Sequence, residues 1–181
     1  LAHIAQDEVM IRAFQERMDI HTITASQVFA TPVDQVTGAQ RSAAKAVNFG
    51  IVYGIGEFSL SQDIGVSVKE AKRYIENYLE KYSGVREYMV DIKELAKKQG
   101  YVETMFGRRR YIPELTASNF NTRSFGERVA LNTPIQGSAA DIIKIAMVRV
   151  FKRLATECPE AKLLLQVHDE LIVEAPESMV E

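Results

Sequence analysis

Apolar residues recur every three or four positions over most of the first hundred residues, and this spacing predicts a series of amphipathic helices. A first helix is predicted after Asp7, with Met10 and Phe14 on its apolar face. A second helix is predicted to begin at Asp19 and to end before Pro32, because proline does not continue a helix. The beginning of the chain is therefore expected to be helical.

Further helix starts are marked by capping boxes, in which Ser or Thr is followed three residues later by Gln or Glu. The chain has this pattern at Thr37 and again at Ser67. Ser83 is expected to cap another helix, which should end at Gly100 because glycine readily adopts the left-handed conformation that follows many helices.

The second half of the chain begins with a change of period. Alternation from Tyr101 onwards predicts a hairpin whose turn contains Gly107 and whose second strand carries the arginines at positions 108–110. A long helical pattern then covers residues 122–156, and Pro134 is expected to kink or break it. The two apolar runs AKLLLQ and LIVEA predict a final pair of strands.

Composition adds little about partners. The 181 residues are 46% hydrophobic and 25% charged, with a net charge of -2, so the chain is long enough for a buried core and has no overall signal for binding polyanions. A single cysteine, Cys158, and the lack of a long apolar run favour a cytoplasmic protein with no membrane partner. Because the sequence opens at Leu1 within a helical pattern, we expect a fragment of a longer chain.

The helix that follows Thr37 has an unusual polar side. With about 100° of rotation per residue, one side of this helix carries six residues: Arg41, Lys45, Asn48, Phe49, Val52 and Tyr53. Two cations one turn apart suit a polyphosphate, and flat rings suit stacking on a base or sugar, so this side could bind a nucleoside triphosphate. The alternative is a solvated cationic stripe with the aromatic rings of Phe49 and Tyr53 buried in the core.

A second candidate site lies between the last two predicted strands, in QVHDELIVE at residues 166–174. A tight turn there would present Asp169 between His168 and Glu170, and a carboxylate with a free face can bind Mg²⁺. The alternative is an ordinary solvated turn, in which aspartate is a favoured residue.

These two stretches, in this order, resemble the bacterial DNA polymerase I family, the family A DNA polymerases. DIHTITASQVF, GYVETMFGRRRYIPEL, ERVALNTPIQGSAADI and LLLQVHDELIVEAP resemble stretches of the same family. The resemblance implies an α+β fold, with a mostly helical fingers subdomain and part of the antiparallel palm sheet of a right-hand polymerase. It divides the chain into connecting helices (1–30), fingers helices (31–99), a basic hairpin and loop (100–121), and the palm long helix with the metal-binding hairpin (122–181).

The resemblance also implies roles for particular residues. Nucleotide binding falls to His21, Arg41, Lys45, Phe49 and Tyr53, and contact with primer-template DNA falls to Gly50, Tyr53, Arg128, Asn132, Gln136 and His168. Asp169 would bind Mg²⁺ with Glu170 beside it, and Lys45 would also protonate the leaving pyrophosphate. The implied reaction is transfer of a nucleotide from a deoxynucleoside triphosphate to a primer 3'-hydroxyl.

Two departures from the family pattern bear on activity. Ser42 stands where many relatives have a second arginine, and the second metal-binding aspartate of the family would lie just before Leu1. We therefore expect the chain to need the remaining polymerase domains of its parent and not to extend a primer alone. A single-subunit RNA polymerase, or a non-catalytic nucleic-acid-binding module of the same fold, stays open as an alternative, although Lys45 together with Asp169 argues against the second.

Overall fold

The computed structural model describes residues 1–179 and has the expected α+β fold. Its α-helices are α1 (Glu8–Gln15), α2 (Ile20–Val28), α3 (Gly38–Val52), α4 (Glu57–Ile64), α5 (Val68–Lys81), α6 (Ser83–Gln99) and α7 (Phe120–Glu157). Two antiparallel hairpins complete the fold, β1 (Tyr101–Glu103) with β2 (Arg109–Tyr111) and β3 (Lys162–Val167) with β4 (Glu170–Glu174). Short 3₁₀ turns lie at Val33–Gln35, Pro113–Thr116 and Glu177–Met179.

Most helix starts lie where the capping residues predict them. The side chains of Asp7 and Asp19 accept backbone N–H groups in the first turns of α1 and α2. Thr37 and Ser67 each form a complete capping box, in which the side chain of the third helical residue also accepts the N–H of the capping residue. These four predictions are confirmed. They could be made from the sequence because the capping residue and its partners are close together along the chain.

The start of α6 differs from the prediction. Ser83 is the first residue of the helix and its side chain caps nothing. Instead the carboxylate of Asp7 accepts the N–H of Gly84 at 3.0 Å and that of Val85 at 3.4 Å, while its other oxygen accepts the N–H of Met10 at 2.9 Å. One buried aspartate therefore caps two helices, and a capping partner so distant along the chain leaves no local signal.

Two further expectations need correction. Phe14 was expected on the buried side of α1, but 56% of its surface is exposed because Met10 and Ala13 occupy the inward side. The long helix α7 continues through Pro134, so of the two expected outcomes, a kink or a break, the break is wrong. A proline removes one N–H donor, and here the carbonyl group of Pro134 itself accepts the hydroxyl of Ser138.

Two apolar clusters form the core. The first is shared by α1 and α3–α6, and consists of Met10, Val47, Ile51, Leu60, Ala71, Tyr78, Tyr82 and Val85. The second joins the end of α6, the first hairpin and α7, and consists of Ala96, Val102, Ile112, Leu115 and Ala130. The first cluster buries one side of α3, so the opposite side of that helix is free to bind a ligand.

The second hairpin is less enclosed than the first. In β3 and β4 the large apolar side chains of Leu165 and Ile172 are 60% and 42% exposed. The ladder pairs Val167 with Glu170, so His168 and Asp169 form its two-residue turn. Among residues 1–179, no helix is both long enough and apolar enough to cross a membrane.

Candidate functional site

The exposed side of α3 carries the cations and rings that its sequence predicts. Arg41, Lys45, Phe49 and Tyr53 are all exposed, whereas Val47, on the opposite side, is fully buried. Phe49 is 52% exposed and Tyr53 is 46% exposed. The alternative that these two rings belong to the core is therefore wrong, and the helix presents charge and aromatic surface together.

Arg41 is held in place by the residue that caps α2. Its Nε atom donates to Asp19 Oδ2 at 2.6 Å. This hydrogen bond is the main reason that the pKa of Asp19 falls to about 2. The terminal N–H groups of the guanidinium make no hydrogen bond within residues 1–179, so they can bind an anion.

His21 lies beside the same face of α3. Its ring centroid is 6.1 Å from that of Phe49, and Lys45 Nζ is 5.8 Å from the Phe49 centroid. Burial is the main cause that lowers the pKa of His21, while Asp19 raises it and the two cations of α3 lower it. The structure thus brings the imidazole of His21, two cations and an aromatic ring into one cluster.

A pocket of about 600 Å³ opens at the end of α3. Phe49, Gly50 and Tyr53 line it together with Arg128 of α7. Gly50 allows close packing there, because a Cβ at this position would lie 2.5 Å from the side chain of Ile55.

The two helices are also joined by a direct contact near this pocket. Gln136 Nε2 of α7 donates to the Tyr53 hydroxyl at 2.7 Å. One turn before Gln136, the buried Oδ1 of Asn132 has no hydrogen-bond partner within residues 1–179. Such an oxygen is costly without a donor, so it marks a place where a ligand could supply one.

The hairpin turn presents three exposed polar residues. His168 has φ 53°, in the left-handed region, and the next two residues are Asp169 and Glu170. Among the residues that the structure describes, no hydrogen bond or ion pair links this turn to α3. No cluster of three or more potential metal ligands occurs in residues 1–179 either.

Two of the three arginines of the first hairpin already have carboxylate partners within the fold. Arg108 pairs with the buried carboxylate of Asp141 at 2.6 Å, and Arg109 pairs with Glu103 at 2.7 Å. Arg110 is exposed and forms no ion pair within the described part of the chain. Only one of the three cations is thus available to an external anion without exchange of partners.

Two residues of the candidate site were not assigned a role from the sequence. Asp19 is recognisable as a cap but not as the partner of Arg41, and Asn48, which lies on the correct side of α3, contacts His21. Both contacts cross between α2 and α3. The position of Asn48 among the polar residues of that face was the only signal available.

The chain matches the family described as DNA polymerase family A over residues 1–181. It is 59% identical over its full length to DNA polymerase I of Bacillus subtilis (strain 168) and 54% identical to that of Geobacillus stearothermophilus. In both cases it spans 21% of the relative's length.

A solved structure shows the same fold. The polymerase domain of Pol1 from M. smegmatis, in complex with DNA primer-template and dNTP, superimposes with a TM-score of 0.87. The two are 44% identical, and the match covers 97% of this chain and 31% of that one. With the whole-length family match and these relatives, the chain belongs to DNA polymerase family A.

Proposed function

We propose that this chain contributes the nucleotide-binding face of an enzyme that carries out template-directed DNA synthesis. The observation that carries the proposal is the exposed side of α3, where Arg41, Lys45 and Phe49 project together next to His21. Curated relatives named DNA polymerase I support a DNA rather than an RNA product. The chain is about a fifth of their length, so the activity proposed is that of a longer parent protein.

The cluster on α3 suits the triphosphate of an incoming nucleotide. The terminal N–H groups of Arg41 and the ammonium of Lys45 bind phosphate oxygens, and His21 adds a further donor. Phe49 stacks on the sugar and base beyond them. We further propose that Lys45 protonates the pyrophosphate as it leaves, because an ammonium already in contact with the phosphates is placed to donate its proton.

The pocket at the end of α3 suits the nucleic acid. Gly50 and Tyr53 border the templating base, and Arg128, which lines the same pocket, binds the phosphate backbone. Gln136, which already donates to Tyr53, and Asn132, with its unpartnered buried oxygen, lie along α7 where they contact the primer and template. We propose the same role for His168 on the hairpin turn.

Family A DNA polymerases use divalent metal ions. We propose Asp169 as a ligand of Mg²⁺, with Glu170 beside it, because carboxylate oxygens on an exposed turn are the donors that this ion prefers. The donor type fits, but no three potential metal ligands within residues 1–179 are grouped closely enough to hold one ion. The described residues therefore supply one side of a metal site and do not complete it.

The division of the chain follows the same proposal. Residues 31–99 act as fingers helices that share the first core cluster, and residues 1–30 connect them to the palm. The basic hairpin at 100–121 packs on the long helix of the 122–181 segment through the second cluster. Since the relatives come from bacteria, whose DNA lies in the cytoplasm, we place the parent enzyme there.

The test is single-nucleotide incorporation by the complete parent polymerase on a primed template. Arg41→Ala should weaken nucleotide binding and Lys45→Ala should slow incorporation, each by about tenfold or more, because a charge-assisted hydrogen bond contributes about 1.5 to 3 kcal/mol. Lys69→Ala, which removes an exposed lysine from α5, is the matched control. If both α3 variants behave like this control, the face does not bind the nucleotide.

A further inference from the structure

A hydrogen-bonded series of polar side chains runs from the core to His21. The hydroxyl groups of Tyr82 and Thr24, both fully buried, are 3.4 Å apart. Thr24 Oγ1 lies 3.2 Å from Asn48 Oδ1, and Asn48 Nδ2 lies 3.0 Å from His21 Nδ1. His21, at the outer end of this series, lies next to Phe49 on the exposed face of α3.

Counting the protons fixes the direction of these hydrogen bonds. Two buried hydroxyl protons need two acceptors, and both find one only if Tyr82 donates to Thr24 and Thr24 donates to Asn48 Oδ1. If the amide were reversed, its NH₂ group would face Thr24, and one of the two hydroxyl protons would have no acceptor among residues 1–179. The amide nitrogen of Asn48 therefore faces the histidine ring.

This direction also fixes the tautomer of His21. An amide N–H that donates to Nδ1 requires a lone pair on that nitrogen, so the ring proton resides on Nε2. Protonation of Nδ1 would cost this hydrogen bond, an effect in the same direction as burial, which is the main cause of the lowered pKa of His21. A neutral ring with its proton on Nε2 donates a hydrogen bond from that nitrogen without having to become an imidazolium.

We infer that Asn48 is a positioning residue that holds His21 as a neutral Nε2–H donor toward the phosphate oxygens of the bound nucleotide. The inference rests on the proposed function, because it requires the triphosphate to lie on this face of α3. Asn48 itself does not touch the nucleotide. Its effect passes through the ring, and Thr24 and Tyr82 keep its amide in the required orientation.

The experiment measures the Kd of the matching dNTP for the complete parent polymerase on a dideoxy-terminated primer-template, so that chemistry does not contribute. His21→Ala should raise Kd by about tenfold, the cost of one hydrogen bond to a charged group. Asn48→Leu, which keeps the size but loses the amide, should raise Kd by a similar factor. The double variant should bind the dNTP no more weakly than His21→Ala does, because the two residues act as one unit.

A pH series separates positioning from a general structural effect. In Asn48→Asp the carboxylate accepts a proton from Nδ1, so the ring binds phosphate while it is an imidazolium and loses its Nε2 donor when it becomes neutral. The ratio of the Kd of this variant to the wild-type Kd should therefore rise with pH as the imidazolium of this variant loses its proton. Asp19, Arg41 and Lys45, the other charged groups that face the ring, are present in both proteins and do not alter this comparison. For Asn48→Leu the ratio should not change with pH.

The matched control is Asn77→Leu, the same substitution at a half-buried position of α5. Wild-type Kd in His21→Ala would overturn the proposed role of His21 on the triphosphate. Weak binding in His21→Ala with wild-type binding in Asn48→Leu, or additive losses in the double variant, would overturn the inference while leaving the proposed function intact. A pH-independent ratio for Asn48→Asp would also overturn it.

Discussion

Replacement of Asp7 should loosen two helices that are far apart in sequence. In Asp7→Ala, the N–H groups of Met10, Gly84 and Val85 lose their acceptor at a site where the aspartate is only 3% exposed. Loss of a capping side chain costs about 0.5 to 2 kcal/mol for each helix, so α1 and α6 together should lose about 1 to 4 kcal/mol. The lower part of this range requires water to replace the lost carboxylate.

Hydrogen exchange followed by mass spectrometry on the complete parent polymerase can measure the first turn of α1 and the first turn of α6 separately. Loss of a cap that contributes about 1.4 kcal/mol should make hydrogen exchange about tenfold faster in the first turns of its helix. Asp7→Asn keeps one oxygen for Met10 and turns an NH₂ group toward Gly84, so exchange should rise at α6 and stay slow at α1. Asp34→Ala, at an exposed aspartate, is the control. Unchanged exchange at α6 in Asp7→Ala would refute the shared cap.

Three further outcomes are expected. Hydrogen bonds from Thr104 and Arg108 lower the pKa of Asp141, so its contribution to stability is present above the unfolded value of about 3.9 and is lost as the pH falls through the folded value. Thermal unfolding of the parent enzyme should therefore be less sensitive to pH below about 4 in Asp141→Asn than in the wild type. Phe49→Tyr should increase incorporation of dideoxynucleotides in competition assays, because its hydroxyl can replace the missing sugar hydroxyl; unchanged selectivity would mean that the ring is not at the sugar. The 181-residue chain alone should not extend a primer in a gel assay, and extension that Asp169→Ala abolishes would contradict the incomplete metal site.

The local features of the fold could be predicted because they depend on residues close together in sequence. Capping boxes placed the starts of α3 and α5, and helical rotation placed Arg41 and Phe49 on one side of α3. The period change at Tyr101 placed the first hairpin. The exposure of Phe14 could not be predicted, because a short helix with apolar residues on several sides does not reveal which side faces the core.

Tertiary pairings were the part that the sequence could not provide. The cap that Asp7 supplies to α6, the hydrogen bond from Arg41 to Asp19 and the contact of Asn48 with His21 each join separate helices. Each of these residues has an adequate local explanation as a cap, a solvated cation or a polar surface position. Only the packing of the helices shows that they share partners.

The central claim is that the exposed face of α3 holds the incoming nucleotide. The most direct test is a structure of the complete parent polymerase with a dideoxy-terminated primer-template, the matching dNTP and Mg²⁺. We expect phosphate oxygens within hydrogen-bonding distance of Arg41 and Lys45, the Nε2 of His21 directed at them, and the Phe49 ring against the nucleotide. A triphosphate bound in the active site with no contact to these α3 side chains would contradict the claim.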